Sequence, residues 1–196
     1  HLIDDFGGQL VDQIGAAEYA PPNLNTEGAK VNPEWLLSFF NNPSIIRPNL
    51  EVRMPSFHQI TDEQWNAIIK YFQHLDNEQI SYRDELAINK HSIEFKGGEM
   101  LHELGACNNC HFYGTTFPKQ DASTWAPNMA LTKDRLNPDW VKEWLRDPQT
   151  IMPGTKMPAP FLPTEDLLTI DGAKNDWGKE LVKMNGDTEA MLDGLR

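Results

Sequence analysis

Apolar positions recur every three or four residues in four stretches of the chain, and no stretch reads as a long sheet. Behind Thr61, the positions Trp65, Ile68, Ile69, Phe72 and Leu75 mark one helical face. Thr61-Asp62-Glu63-Gln64 has the form of a capping box at its start. Asn32 as N-cap and Pro33 as first residue open a second helix, with Trp35, Leu36, Phe39 and Phe40 on its apolar side. Asn137-Pro138-Asp139-Trp140 opens a third in the same way, carrying Trp140, Val141, Trp144 and Leu145. A fourth is predicted from Lys96 to about Leu104. Each helix is short and loops rich in proline separate them, so the predicted fold class is all-α.

Two of these helices belong to an internal repeat. Residues 22–48 match residues 127–153 without a gap: Pro-Asn-Leu against Pro-Asn-Met, then Asn32-Pro33-Glu34-Trp35 against Asn137-Pro138-Asp139-Trp140, then Asn42-Pro43 against Asp147-Pro148. The offset is 105 throughout, and a two-residue shift then aligns Arg53-Met54-Pro55 with Lys156-Met157-Pro158. A period of that length marks a duplicated domain rather than a solenoid unit. The expected division is 1–78, a polar linker 79–95, and 96–196 with an insertion at 163–187.

Composition narrows the function. The 196 residues are 39% hydrophobic, enough for a packed core. The longest nearly apolar run, Trp35 to Phe40, is far short of the roughly 20 residues of a membrane span. Neither a signal peptide nor an anchor is present in these residues, so any such element is expected to be removed or to lie elsewhere. Seventeen basic against 29 acidic residues give a formal charge of −12, which argues against nucleic-acid binding and suits a basic partner. Asp and Glu are scattered without a paired arrangement, as on a solvated acidic surface.

Two cysteines, three apart, exclude a disulfide framework. Cys107-Asn108-Asn109-Cys110-His111 has the spacing of c-type haem attachment: each thiol can add to one vinyl group, and the adjacent imidazole then reaches the iron. Two other chemistries use a Cys-x-x-Cys pair. A thioredoxin-like redox site wants a preceding strand and a parallel sheet, and a structural zinc site wants a second Cys or His pair; the sequence offers neither.

The surrounding residues carry a resemblance. Ala126-Pro127-Asn128-Met129, Trp140, Trp144 and Pro153-Gly154-Thr155-Lys156-Met157-Pro158 together resemble the class I cytochrome c family, most strongly over about residues 96–161. The resemblance implies a helix through Gly98 to Glu103 ahead of the motif, haem c bound covalently at Cys107 and Cys110, His111 as proximal ligand and Met157 as distal ligand. Met152 is the rival ligand. It aligns with Arg47, which cannot ligate iron, whereas Met157 aligns with Met54. The tryptophans at 35, 125, 140 and 144 are expected in the haem crevice and core, and His58, His74, His91 and His102 as ordinary surface or core residues.

The first half resembles the same family in Pro21-Pro22-Asn23-Leu24, Trp35, Arg47-Pro48 and Arg53-Met54-Pro55, without a Cys-x-x-Cys. His1 falls where a haem histidine belongs, so a second haem with His1 and Met54 as axial ligands is expected, with the cysteines upstream of His1. Thr188 to Arg196 begins like a final helix and stops after about two turns, so both ends read as cut within a domain. The family implies tandem domains that pass single electrons through His/Met-ligated haem, without substrate chemistry, in the periplasm or an equivalent compartment. Expected partners are a redox donor and acceptor, meeting the chain through a basic patch or as subunits of one complex. Two alternatives remain: a subunit permanently docked in a respiratory or nitrogen-cycle complex, with 163–187 as its docking surface, and a dihaem peroxidase-like enzyme, against which Met54 and Met157 argue.

Overall fold

Local signals set the helices. The structure, a computed structural model, describes residues 23–49, 53–78, 88–170 and 177–196. Helix α1 (Pro33–Asn41) starts where Asn32 accepts a hydrogen bond from the Glu34 amide at 3.2 Å. Helix α2 (Asp62–Leu75) carries a complete capping box: Thr61 Oγ1 accepts from the Gln64 amide at 3.4 Å, and the Thr61 amide donates to Gln64 Oε1 at 2.9 Å. Helix α3 (Ile93–Leu104) begins three residues earlier than its apolar pattern suggested, because Ser92 Oγ accepts from the Phe95 amide at 3.1 Å. The end of the expected linker is therefore helical. Helix α4 (Pro138–Arg146) repeats the α1 start, with Asn137 accepting from the Asp139 amide at 3.0 Å. Three short helices follow: α5 (Glu165–Thr169), α6 (Lys179–Met184) and α7 (Thr188–Leu195). Among the described residues there is no strand, only isolated bridges, so the fold is all-α.

Each half has its own core. In the first, Val31, Leu36, Phe40, Trp65 and Ile69 are buried together, with Trp65 stacked on Phe40 at 4.4 Å. Asp76 at the end of α2 reaches back to the turn Glu27–Lys30, its Oδ2 accepting from the amides of Gly28 (2.8 Å) and Ala29 (3.1 Å). In the second, Leu101, Leu168, Leu181, Met184 and Met191 are buried together, each contributing roughly 1.5–3 kcal/mol. Helices α3 and α7 cross at glycines: a Cβ on Gly98 would stand 2.1 Å from the Gly194 carbonyl oxygen.

Within 163–187, Leu168 is 1% exposed and Leu181 fully buried, so α5 and α6 each turn one face into the second core. Leu181 and Met184 share one helical face and close over Gly97 of α3.

The halves meet through equivalent residues. Val31 and Leu136 form an antiparallel bridge. The Asn32 amide donates to the Arg135 carbonyl and the Asn137 amide to the Lys30 carbonyl, both at 2.8 Å. The side chains follow: Lys30 Nζ lies 5.8 Å from the Trp140 ring centre, and the Arg135 guanidinium 5.5 Å from that of Trp35. Each of these contacts maps onto its counterpart under the 105-residue repeat, so the seam is a local two-fold inside one chain. Asn137, 4% exposed, adds a bond from Nδ2 to the Ala29 carbonyl at 2.8 Å.

Candidate functional site

The Cys-x-x-Cys-His segment leaves α3 through Gly105 and Ala106, the latter at φ 49°, and forms one 3₁₀ turn, Cys107–Asn109. The amides of Cys110 and His111 both donate to the Cys107 carbonyl, at 3.2 and 3.0 Å. Residues three apart eclipse in such a turn, so the two thiols share a side. Both cysteines are free and half-buried. Burial pushes the Cys107 thiol up, with Cys110 adding to the rise against a backbone hydrogen bond that lowers it. A thiol held protonated is the opposite of the activated thiolate that an oxidoreductase needs. Among the described residues no three His, Cys, Asp or Glu side chains are placed to hold one metal ion, so the cysteines and His111 do not converge as zinc ligands do.

His111 is fixed from the other side. Its backbone bridges Ala126, and its Nδ1 lies 2.8 Å from the Pro127 carbonyl oxygen. A carbonyl only accepts, so Nδ1 carries the proton and Nε2 keeps its lone pair. Burial lowers the pKa of His111, the Pro127 bond opposes this, and Arg47 and His102 lower it further. The imidazole is therefore neutral at neutral pH, the form that ligates metals. Arg47 comes from the first half, so both halves shape this site. Burial also lowers Arg135, with Glu27 opposing and Arg47 adding to the effect. Arg135 Nε is buried without an acceptor among the described residues. Next to His111, Phe112, Phe117 and Trp125 form an edge-to-face trio with centroids 5.2–5.6 Å apart.

The methionine loop is built from α4. Asp147 caps the following turn, accepting from the Thr150 amide at 3.1 Å. Gln149 then clamps the loop, its Nε2 donating to the Thr155 carbonyl and its Oε1 accepting from the Gly154 amide. Gly154 sits at φ 84°, a backbone state that glycine adopts without steric cost. Lys156 Nζ donates to the Ser123 carbonyl at 2.8 Å, which ties the loop to the segment leading back to His111. Met157 is half-buried, and Trp144 Nε1 donates to its sulfur at 2.9 Å. The backbone of Met152, by contrast, closes the turn, accepting from the Thr155 amide at 3.1 Å.

In the first half, Met54 packs against the Leu36–Trp65 core. The buried Trp65 Nε1 nearby has no acceptor among the described residues. His1, its expected partner, lies outside the described residues. Two contributors escaped the sequence: Arg47, which acts across the seam, and the Trp144 contact to Met157. The repeat held a signal for the second, since Trp144 aligns with Phe39, an aromatic at the same place one turn after the shared tryptophan.

Over 70 residues the chain is 36% identical to cytochrome c oxidase subunit 2 of Bacillus subtilis (strain 168). That stretch is 32% of this chain and 20% of the relative, so the match spans about a fifth of that protein's length. No family model matches the chain, and no solved structure matches it significantly. Among the described residues no helix is long and apolar enough to cross a membrane.

Proposed function

We propose that this chain is an electron-carrying c-type cytochrome, with haem c bound covalently at Cys107 and Cys110 and ligated by His111 and Met157. One observation carries the reading. His111 stands next to two thiols on one turn with its Nδ1 2.8 Å from the Pro127 carbonyl oxygen, which leaves Nε2 as the unprotonated, ligating nitrogen. The residues suit the group: two free, half-buried thiols for attachment, an imidazole whose Nδ1 is held by Pro127 and a half-buried thioether. Haem iron supplies one-electron oxidation and reduction. The Cys107 and Cys110 thiols, His111 and Met157 would hold it, and Arg47, whose charge is felt at His111, would supply a cation to its carboxylates. His/Met ligation favours a high potential among haem proteins.

The repeat supports a second haem in the first half with His1 and Met54 as ligands, giving tandem cytochrome c domains. The Cys-x-x-Cys-His chemistry belongs to the periplasm or an equivalent compartment in the family that the sequence resembles. The net charge of −12 suits a basic redox partner met by charge steering. The likeness to an oxidase subunit favours the second form of this reading, a cytochrome subunit held within a larger respiratory complex.

The test is the chain expressed with c-type haem maturation and extracted with acid acetone. Intact mass is expected to retain haem on the fragment containing residues 107–111. Met157→Ala should open the iron to added imidazole, and Met152→Ala should leave it closed. An unmodified fragment would overturn the attachment, and exchanged behaviour of the two variants would overturn the ligand assignment.

A further inference from the structure

One peptide group stands between His111 and the other half of the chain. The Pro127 carbonyl accepts from His111 Nδ1 at 2.8 Å. The Asn128 amide, the other end of the same peptide, donates to the Ile46 carbonyl of the first half at 3.0 Å. A trans peptide is planar, with its C=O and N–H pointing opposite ways, so the two bonds lie on opposite sides of one conjugated unit. The flanks of this peptide are pinned. The Ala126 amide donates to the Cys110 carbonyl and the Met129 amide to the Phe112 carbonyl, each at 2.8 Å. The Asn128 side chain adds bonds to the Gly114 amide and carbonyl, at 3.0 and 2.9 Å. With its flanks fixed, the peptide passes on polarisation rather than movement.

Hydrogen bonds in a chain strengthen one another. An acceptor on the Asn128 N–H shifts electron density onto the Pro127 oxygen, which then holds the imidazole proton more firmly. A firmer bond at Nδ1 makes Nε2 the stronger donor, since partners of the second ring nitrogen set the basicity of a ligating histidine. Stronger donation favours the oxidised metal over the reduced one. We propose that Ile46 is a positioning residue for His111: its carbonyl polarises the Pro127–Asn128 peptide, so that the first half lowers the potential of the second site. This rests on the haem reading above for Cys107 to His111, and it needs no haem in the first half. Arg47, the next residue, brings a charge that is felt at His111, and a cation favours the reduced metal. One segment of the first half therefore delivers two groups that act on the site in opposite directions.

The experiment compares holoprotein of wild type, Asn128→Ala and Asn128→Pro by haem content, thermal midpoint and potentiometric titration of the haem absorption. Asn128 sits at φ −71°, which proline adopts, so Asn128→Pro deletes the N–H while keeping that backbone angle. Both variants lose the side-chain bonds to Gly114, so the difference between them isolates the amide. Asn128→Pro is expected to titrate higher than Asn128→Ala. Its ferrous-to-ferric ratio at a fixed potential should rise about threefold, equivalent to about 28 mV for one electron. A merely structural role would lower the thermal midpoint of Asn128→Pro and leave its potential at that of Asn128→Ala. Equal potentials, or a lower one for Asn128→Pro, overturn the proposal and leave the haem reading standing; a wild-type chain without covalent haem overturns both. If Asn128→Pro fails to load, hydrogen exchange of the Asn128 amide in ferrous wild type decides. A protected amide supports the bond to Ile46, and a freely exchanging one overturns the proposal.

Discussion

Replacing Asn137 by alanine tests whether the seam between the halves contributes to stability. Asn137 performs two tasks with one buried amide: its Oδ1 caps α4 through the Asp139 amide, and its Nδ2 satisfies the Ala29 carbonyl of the other half. Losing the cap costs about 1 kcal/mol. Leaving the half-buried Ala29 carbonyl without its donor costs about 1–3 kcal/mol more, the lower end where water reaches it. The expected loss is therefore about 2–4 kcal/mol. Asn32 is the internal control, since it holds the same cap position in the first half, on the Glu34 amide at an exposed site. Asn32→Ala should lose only the cap, about 1 kcal/mol. Asn137→Asp keeps the cap acceptor and deletes the donor, so it should retain the cap and lose the bond to Ala29. Urea unfolding of the holoprotein, followed by circular dichroism at helical wavelengths, reads all three. If Asn137→Ala and Asn32→Ala fall within about 0.5 kcal/mol of each other, the limit of additivity for such comparisons, the seam bond contributes nothing and the reasoning fails.

Two further outcomes follow from packing and charge. Gly98→Ala should destabilise the second half by about 3 kcal/mol or more, because the new methyl has backbone rather than a flexible side chain in its way. Thermal unfolding checks this, and a midpoint equal to wild type would contradict the close crossing of α3 and α7. The second concerns Glu189, which binds Arg146 of α4 through both carboxylate oxygens and also meets Lys142 at 3.0 Å. Hydrogen bonds from Arg146 and then Lys142 hold its carboxyl down at about 2, against an ordinary value of 4.5. A depressed acid stabilises the fold above its unfolded pKa and loses that contribution as pH falls towards the folded one. Wild type and Glu189→Gln should therefore differ in thermal midpoint at pH 6 and converge between about pH 4.5 and 2, with 0.5 M salt shrinking the gap at pH 6. A gap that persists at pH 2 would show that the carboxylate charge is not its source.

The sequence alone determined the features whose cause is local. Asn32, Thr61 and Asn137 cap the helices that they were read to cap, since a cap is an exchange between a side chain and amides two or three residues away. The all-α class, the repeat and the Cys-x-x-Cys-His turn were legible for the same reason. The start of α3 at Ser92 was also local, but it lay in a polar stretch where no apolar period drew attention. Tertiary structure decided the rest. The residues of 163–187 look like an excursion from a family pattern until Leu168, Leu181 and Met184 are seen to close a core over Gly97, which no window along the chain contains. The reciprocal seam needs backbone groups a whole repeat apart to meet, so its hydrogen bonds exist only once both halves have folded. The same holds for the site: its thiols and imidazole are neighbours in sequence, whereas the proton on His111 is fixed by Pro127, its basicity is lowered in part by Arg47, and the Met157 sulfur is held by Trp144. Electrostatic fields and hydrogen-bond direction depend on distances in space, and packing alone sets those distances.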